Sequence, residues 1–265
     1  MKLRTFGAAV SGILLAASLV ACGNSSTTDN AGDAGDAKAY TIATDTTFAP
    51  FEYAEKDGTY VGVDVDLMAA IAEDQDIQYE LNPVGFDAAL QNVQSGQADG
   101  VIAGMSITDE RKEVFDFSEP YYDSTVCCAV AADSDITSLE DLKDKNVAVK
   151  NGTMSQKWAE SIADQYGFTM TVFDDSPTMY EEVGGNSVAC FEDTPVMSYA
   201  ISTGNVKLNI IAECDADSEF ATPYGFAVAK GENAELLEKF NAGLANLKES
   251  GKYDEIVGKY VQSVA

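Results

Sequence analysis

Four charged side chains stand just beyond short apolar runs. Asp45 follows Tyr40-Thr41-Ile42-Ala43-Thr44, and Arg111 follows Val101-Ile102-Ala103 by way of Gly104-Met105-Ser106. Lys150 ends Val147-Ala148-Val149, and Asp193 follows Val188-Ala189-Cys190 beside Glu192. A guanidinium presents a planar fork of N–H donors that fits a carboxylate, and a carboxylate accepts from an ammonium. Carboxylates can also act as general acids. Nucleophilic catalysis of the Ser-His or Cys-His kind is excluded, because the 265 residues include no histidine, and zinc sites built on His are excluded with it. A formal charge of −28 argues against DNA or RNA as a partner, whose phosphates call for Lys and Arg. It argues equally against a polybasic membrane contact.

The elements that would position these groups alternate. Tyr40–Thr44 is β-branched and short, as a strand. Asp64 reads as an N-cap ahead of Leu67, Met68, Ile71 and Ala72 on one helical face. Phe86, Ala89, Leu90 and Val93 repeat that period until Gly96. Ser138 to Asp141 has the form of a capping box. Trp158, Ile162 and Tyr166 mark a helix stopped by Gly167, Ser176-Pro177 reads as an N-cap with Pro at N1, and Leu236, Leu237, Phe240, Leu244 and Leu247 line a long helix ending near Gly251. Strands separated by helices predict an α/β fold with mostly parallel sheets, and such sheets bind ligands at the carboxyl ends of their strands. Asp45, Arg111, Lys150 and Asp193 all fall there.

The first residues read as an address. Lys2 and Arg4 precede an apolar run from Phe6 to Ala21 that ends Leu19-Val20-Ala21-Cys22. That ending resembles a lipobox, so residues 1–21 are expected to be a lipoprotein signal and Cys22 the lipidated N-terminus. Residues 22–39 are small and polar, a tether. No later segment is long and apolar enough to span a bilayer.

Read in order, several segments resemble the polar amino-acid solute-binding proteins (family 3) of ABC importers. They are Asp45-Thr-Thr-Phe48-Ala-Pro50-Phe51-Glu52-Tyr53, Val61-Gly62-Val63-Asp64-Val65-Asp66-Leu67, Ala103 to Arg111, Phe115-Asp116-Phe117-Ser118 and Tyr121-Tyr122. Val149 to Thr153, Asp193-Thr194-Pro195 and Gly251 to Ile256 extend the match. Within the family the chain looks most like glutamine-binding proteins. The resemblance implies a two-lobed periplasmic-binding-protein fold (type II), with two hinge strands and the ligand in the interlobe cleft. Lobe 1 would be residues 40–122 and 225–262 and lobe 2 residues 127–220, with hinges at Tyr122–Thr125 and Ala221–Gly225. It also implies no cofactor, a monomer, a free amino acid and ABC permease subunits as partners, and a place outside the cytoplasmic membrane, held by the lipid alone.

Carried onto this chain, the resemblance gives a ligand set. Arg111, with Ser106, would take the α-carboxylate. Asp193, helped by the Gly104 carbonyl beside Ala103, would take the α-ammonium, and Phe48 and Phe86 would sandwich the aliphatic stem. Asp45 can accept from a side-chain amide and Lys150 can donate to it, near Thr153, which favours glutamine over charged side chains. Two positions depart from the glutamine-binding pattern. Glu192 stands where that group has His, and Met154 where it has Gly; a Glu192 pointing into the cleft would favour a cationic ligand instead. The alternatives are a receptor for arginine, lysine, glutamate or cystine, a sensory module, or a dehydratase on the same fold using Glu192 or Asp193 as general acid. Cys127, Cys128, Cys190 and Cys214 allow three pairings. Neighbours in a strand point to opposite faces, so Cys127 and Cys128 would not share a partner. A 190–214 disulfide would add about 3 kcal/mol, and buried free thiols are the alternative.

Overall fold

The computed structural model describes residues 39–261. The expected signal, Cys22 and all but the last residue of the tether lie outside the described residues. The chain begins with β1 (Tyr40–Thr44), β2 (Thr47–Phe48), β3 (Glu52–Ala54), β4 (Tyr60–Val61) and α1 (Val63–Gln75). It continues through β5 (Tyr79–Pro83), α2 (Phe86–Gln94), β6 (Gly100–Val101), α3 (Asp109–Lys112) and β7 (Phe115–Phe117). It then crosses into a second sheet. This half holds β8 (Val126–Ala131), a 3-10 turn at Leu139–Leu142, β9 (Asn146–Lys150), α4 (Met154–Tyr166), β10 (Thr169–Phe173), α5 (Ser176–Glu181), β11 (Ala189–Asp193), α6 (Thr194–Ser202) and β12 (Leu208–Glu213). A second crossing returns it for β13 (Ala227–Ala229), α7 (Ala234–Ser250) and α8 (Lys252–Tyr260).

The two sheets have strand orders β5-β1-β6-β13-β7 and β10-β9-β11-β8-β12. Parallel pairing holds at β1 with β5 and β6, and at β9 with β10 and β11. The expectation of mostly parallel sheets is corrected at β8 and β13. Each is antiparallel to both its neighbours. These are the first strands after the two crossings, so each enters its sheet from the opposite end.

Both sheets are covered on both faces, and strand alternation sorts the core. In β1, Ile42 packs with Leu67, Met68, Ile71, Phe240 and Leu244, while Ala43 packs with Ala89, Val93 and Phe115. In β11, Phe191 joins Trp158 and Phe168, while Cys190 joins Met179 and Met197. Each fully buried Leu or Phe contributes roughly 1.5–3 kcal/mol.

The cysteines follow the same rule. All four are free and buried. Cys127 and Cys190 lie on one face of the second sheet, Cys128 and Cys214 on the other. The sheet itself therefore separates Cys190 from Cys214, and the 190–214 disulfide is not formed.

Helix boundaries agree with the sequence at α4, where Gly167 takes φ 73° as C-cap, and at α7, where Gly251 takes φ 81°. Two capping assignments are corrected. Asp175 caps α5, accepting from the Thr178 N–H at 2.8 Å, one residue before Ser176. Asp64 is no cap: Gly62 precedes α1, and the Asp64 side chain turns inward and is fully buried.

Candidate functional site

Four neighbouring strand ends, two from each sheet, supply the charged groups. Asp45 leaves β1, and Gly104 to Arg111 follow β6. Lys150 ends β9 and Asp193 ends β11. The two sets face each other across one narrow cavity of about 10 Å³. Its walls are Asp45, Phe48, Phe86, Ala103, Gly104, Ser106, Arg111, Lys150, Thr153, Met154 and Asp193. These are the residues the sequence nominated, with one exception.

The exception is Glu192. It is fully buried but turned away from the cavity, toward α5. Ser176 Oγ donates to its Oε2 at 2.6 Å and Tyr180 Oη at 2.8 Å, and Oε1 accepts from the Asp193 N–H at 2.9 Å. Strand alternation explains this, because Glu192 shares the face of Cys190 while Asp193 takes the other. The carboxylate points away from the cleft and is buried against α5, so it adds no charge to the cavity wall.

Contacts between the halves hold the cavity shut. Lys150 Nζ donates to Asp45 Oδ2 at 2.5 Å, with both side chains almost fully buried. Arg111 donates to the Ser106 carbonyl and, across the cleft, to the Gly152 carbonyl, both at 2.9 Å. Lys157 pairs with Glu110, and the Tyr53 and Tyr199 hydroxyls lie 3.4 Å apart.

Three features define what the cavity can bind. Arg111 is 9% exposed, and burial pulls its guanidinium down to about 10, yet among the described residues it forms no ion pair with a carboxylate. Asp193 accepts from Tyr224 Oη at 2.5 Å through Oδ2, while its buried Oδ1 has no hydrogen-bond partner among the described residues. Burial, reinforced by Glu192, raises its carboxyl to about 7 against the opposing pull of Tyr224, Lys150 and Arg111. A buried cation bonded only to neutral carbonyls and a buried carboxylate oxygen without a donor are both costly in a dry site. A ligand bearing a carboxylate and an ammonium satisfies both.

At the far end, burial works against the Lys150 ammonium, but Asp45, Glu192 and Glu52 outweigh it and hold it above its usual range. The ammonium lies 4.8 Å from the Phe48 ring centre and 5.7 Å from that of Phe86. The Arg111 guanidinium lies 5.4 Å from Phe86. Both rings thus face the cavity rather than serving only as core.

Gly104 is tied to this geometry by space. Its φ is +53°, and a Cβ there would sit 2.4 Å from Phe48 Cε1. Gly104→Ala should therefore push the Phe48 ring and strain the loop. Ligand affinity is expected to fall at least about tenfold, and the melting temperature by roughly 2–6 °C; calorimetry and a thermal melt check both.

Sequence reasoning missed four contributors. Tyr224, on the returning crossing, holds Asp193 and accepts from Ser124 Oγ at 3.0 Å on the other crossing. The Gly152 carbonyl receives Arg111. Beneath Gly104 lie Asp64 and Tyr121, whose hydroxyl donates to Asp64 Oδ2 at 2.8 Å. The Pro223-Tyr224-Gly225 run marked a crossing, but nothing in it signalled where the hydroxyl would point. Among the described residues no group of acidic or cysteine side chains is arranged to hold a metal ion, and no helix is long and apolar enough to cross a membrane.

The comparisons with known proteins agree with one another. The model of the bacterial extracellular solute-binding proteins, family 3, matches residues 40–263. The arginine-binding extracellular protein ArtP of Bacillus subtilis is 30% identical, over 91% of this chain and 92% of its own. Substrate binding domain 2 of Lactococcus lactis GlnP, solved in an open conformation, is 46% identical over 86% of this chain and 97% of its own, with a TM-score of 0.61. An ancestral arginine-binding protein is 38% identical over 84% of this chain and 97% of its own. Its TM-score is 0.76 bound to arginine and 0.75 bound to glutamine. The ligand-bound structures superpose better than the open one despite lower identity, which fits a chain whose two halves have come together. The fold is the type II periplasmic-binding-protein fold.

Proposed function

This chain belongs to the bacterial extracellular solute-binding proteins, family 3, and we propose that it captures L-glutamine between its two lobes and presents it to an ABC permease. Family members bind amino acids for import and are not enzymes. The lobes are residues 40–122 with 225–262, and 127–220. The signal at residues 1–21 and the lipid on Cys22 complete the reading, with the tether holding a monomeric receptor at the outer face of the membrane.

The observation that carries the amino-acid reading is the pairing of Asp193 Oδ1, buried without a partner among the described residues, with a buried Arg111 guanidinium that bonds only backbone carbonyls there. The α-ammonium meets the first, supported by the Gly104 carbonyl, and the α-carboxylate meets the second, supported by Ser106. Phe48 and Phe86 then clasp the stem. The choice of glutamine rests on Asp45 and Lys150, which already bond each other at 2.5 Å. A primary amide can be interposed between them, its NH2 donating to Asp45 and its oxygen accepting from Lys150. A guanidinium or ammonium there would meet the Lys150 charge, and a second carboxylate would meet Asp45. Glu192 does not shift this balance by direct contact, because its oxygens are taken by Ser176, Tyr180 and the Asp193 N–H. It is also unavailable as a general acid toward the cleft. Met154 narrows the wall beside Thr153 without adding charge.

Binding works by differential affinity. The closed arrangement brings Lys150 and Asp193 from one lobe to Asp45 and Arg111 of the other, so the ligand touches both halves only when closed. It can shift the open–closed equilibrium by no more than that difference.

The test is a thermal-shift and calorimetric survey of residues 23–265 against the twenty amino acids and cystine. At 100-fold over its dissociation constant, glutamine should stabilise the protein by about 2.7 kcal/mol. For a protein of this size that is a rise of roughly 5–10 °C. If arginine, the ligand of several relatives, shifts the melt and glutamine does not, the distal half of this assignment is wrong. If no amino acid does, the whole site is.

A further inference from the structure

Two carboxyl groups with no part in the binding scheme lie beneath the cleft. Glu52, on β3, and Asp64, in the first turn of α1, are both fully buried, and each carboxyl acts on the protonation of the other. Gly62 makes the approach possible. At φ +136°, it lets α1 start against the Phe51–Glu52 peptide; a Cβ would sit 2.0 Å from the Phe51 carbonyl oxygen and 2.9 Å from the Glu52 nitrogen. The Asp64 N–H donates to the Phe51 carbonyl at 2.9 Å. On its outer side Asp64 Oδ2 accepts two bonds of 2.8 Å, from the Gly104 N–H and from Tyr121 Oη. Among the described residues, both Glu52 oxygens and Asp64 Oδ1 have no hydrogen-bond partner.

We propose that Glu52 and Asp64 share one proton, carried by Glu52, and that this acid–carboxylate pair is the positioning element that fixes the Gly104 loop and Tyr121 for ligand binding. Two ionised carboxylates cannot occupy a dry site in contact, whereas one proton turns repulsion into a hydrogen bond. The proton on Glu52 supplies the donor that Asp64 Oδ1 lacks. It leaves Asp64 ionised, as its two bonds from Gly104 and Tyr121 require. The remaining charges facing the pair point the same way. Burial, Asp64 and Asp45 hold the Glu52 carboxyl well above its ordinary range, with Lys150 opposing. Burial brings Asp64 to about 6, restrained by Gly104, Tyr121 and Glu52. A neutral Glu52 also keeps a further negative charge away from the Asp45–Lys150 pair at the distal end of the cleft.

The experiment compares wild type with Glu52→Gln, a neutral isostere that keeps an N–H donor. A carboxyl whose folded pKa is raised binds more protons folded than unfolded, so its stabilising contribution is complete below about pH 4.5 and is lost as pH rises toward the raised value. Between pH 5 and 8 the unfolding constant of wild type, relative to E52Q, should rise up to about tenfold per pH unit. A ratio constant with pH overturns the shared proton. Infrared spectroscopy gives an independent reading on wild type alone. At pH 8, above the values for Asp64 and Asp193, a neutral carboxylic-acid band should persist, and its absence overturns the proposal even if E52Q does not fold. Positioning is read from glutamine affinity and so rests on the amino-acid reading of the cleft, whereas the two pH measurements do not. E52Q should stay within about threefold of wild type. Glu52→Val, which has no donor, and Tyr121→Phe, which strips one donor from Asp64, should each weaken binding several-fold. Unchanged affinity in both overturns the positioning role.

Discussion

Arg111→Ala is expected to lose binding to every amino acid, not only to the preferred one. The fork is the cavity's one guanidinium, and its partner in any α-amino acid is the same carboxylate. Hydrogen bonds to charged groups are each worth about 1.5–3 kcal/mol, so losing two costs ~3 kcal/mol or more, at least ~100-fold in affinity. Burial raises the loss, because the ligand carboxylate would enter a dry site with only neutral donors such as Ser106. Arg111→Lys separates charge from shape. It keeps the cation but not the fork, and should recover part of the affinity. Isothermal calorimetry against glutamine, arginine and histidine measures each case. Arg111 also donates to the Ser106 and Gly152 carbonyls at 2.9 Å. The melting temperature of the ligand-free variant therefore reports its structural share separately. Affinity retained in Arg111→Ala would remove the α-carboxylate role.

Why the sequence revealed this residue and not others is a matter of distance along the chain. Asp45, Arg111, Lys150 and Asp193 sit at or just after short buried strands, and topology alone sends such positions to one edge of a sheet. Period-two alternation likewise set Cys127 against Cys128. What local reading lacks is the second partner. Asp64 has the residue type and place of an N-cap, and only the Gly104 N–H, forty positions away, shows that its carboxylate is spent elsewhere. Glu192 was a cleft candidate because it stands where the glutamine-binding pattern has His. Its direction was fixed by Ser176 and Tyr180 on a helix whose start the sequence marked but whose packing against β11 it did not. Tyr224 is the same case across the crossing strands. The disulfide expectation failed for a related reason, since the spacing of Cys190 and Cys214 says nothing about the sheet between them. The antiparallel β8 and β13 follow from the two crossings, which composition does not encode.

Lys150 carries the second large effect, because its loss should change which ligand binds rather than whether one does. Lys150→Met keeps the length of the stem between Phe48 and Phe86 and removes the charge. Asp45, 2% exposed, is then a buried carboxylate without its cation. Breaking a buried pair in this way costs about 3–5 kcal/mol of stability. A ligand with a distal cation supplies what is missing. Arginine or lysine would place its charge beside Asp45 and between two aromatic faces already set at 4.8 and 5.7 Å from an ammonium. Glutamine gains nothing from the change and loses the donor to its amide oxygen, about 10–100-fold in affinity. The ratio of arginine to glutamine affinity should therefore rise by at least about 100-fold. The largest melting-temperature shift in an amino-acid survey of the variant should come from a cation. Asp45→Asn is the converse: the Lys150 ammonium is left without its carboxylate, and glutamate is the ligand expected to gain. A Lys150→Met protein that still prefers glutamine would mean that Asp45 and Lys150 serve only to latch the lobes, and that the choice of side chain is made elsewhere in the cleft.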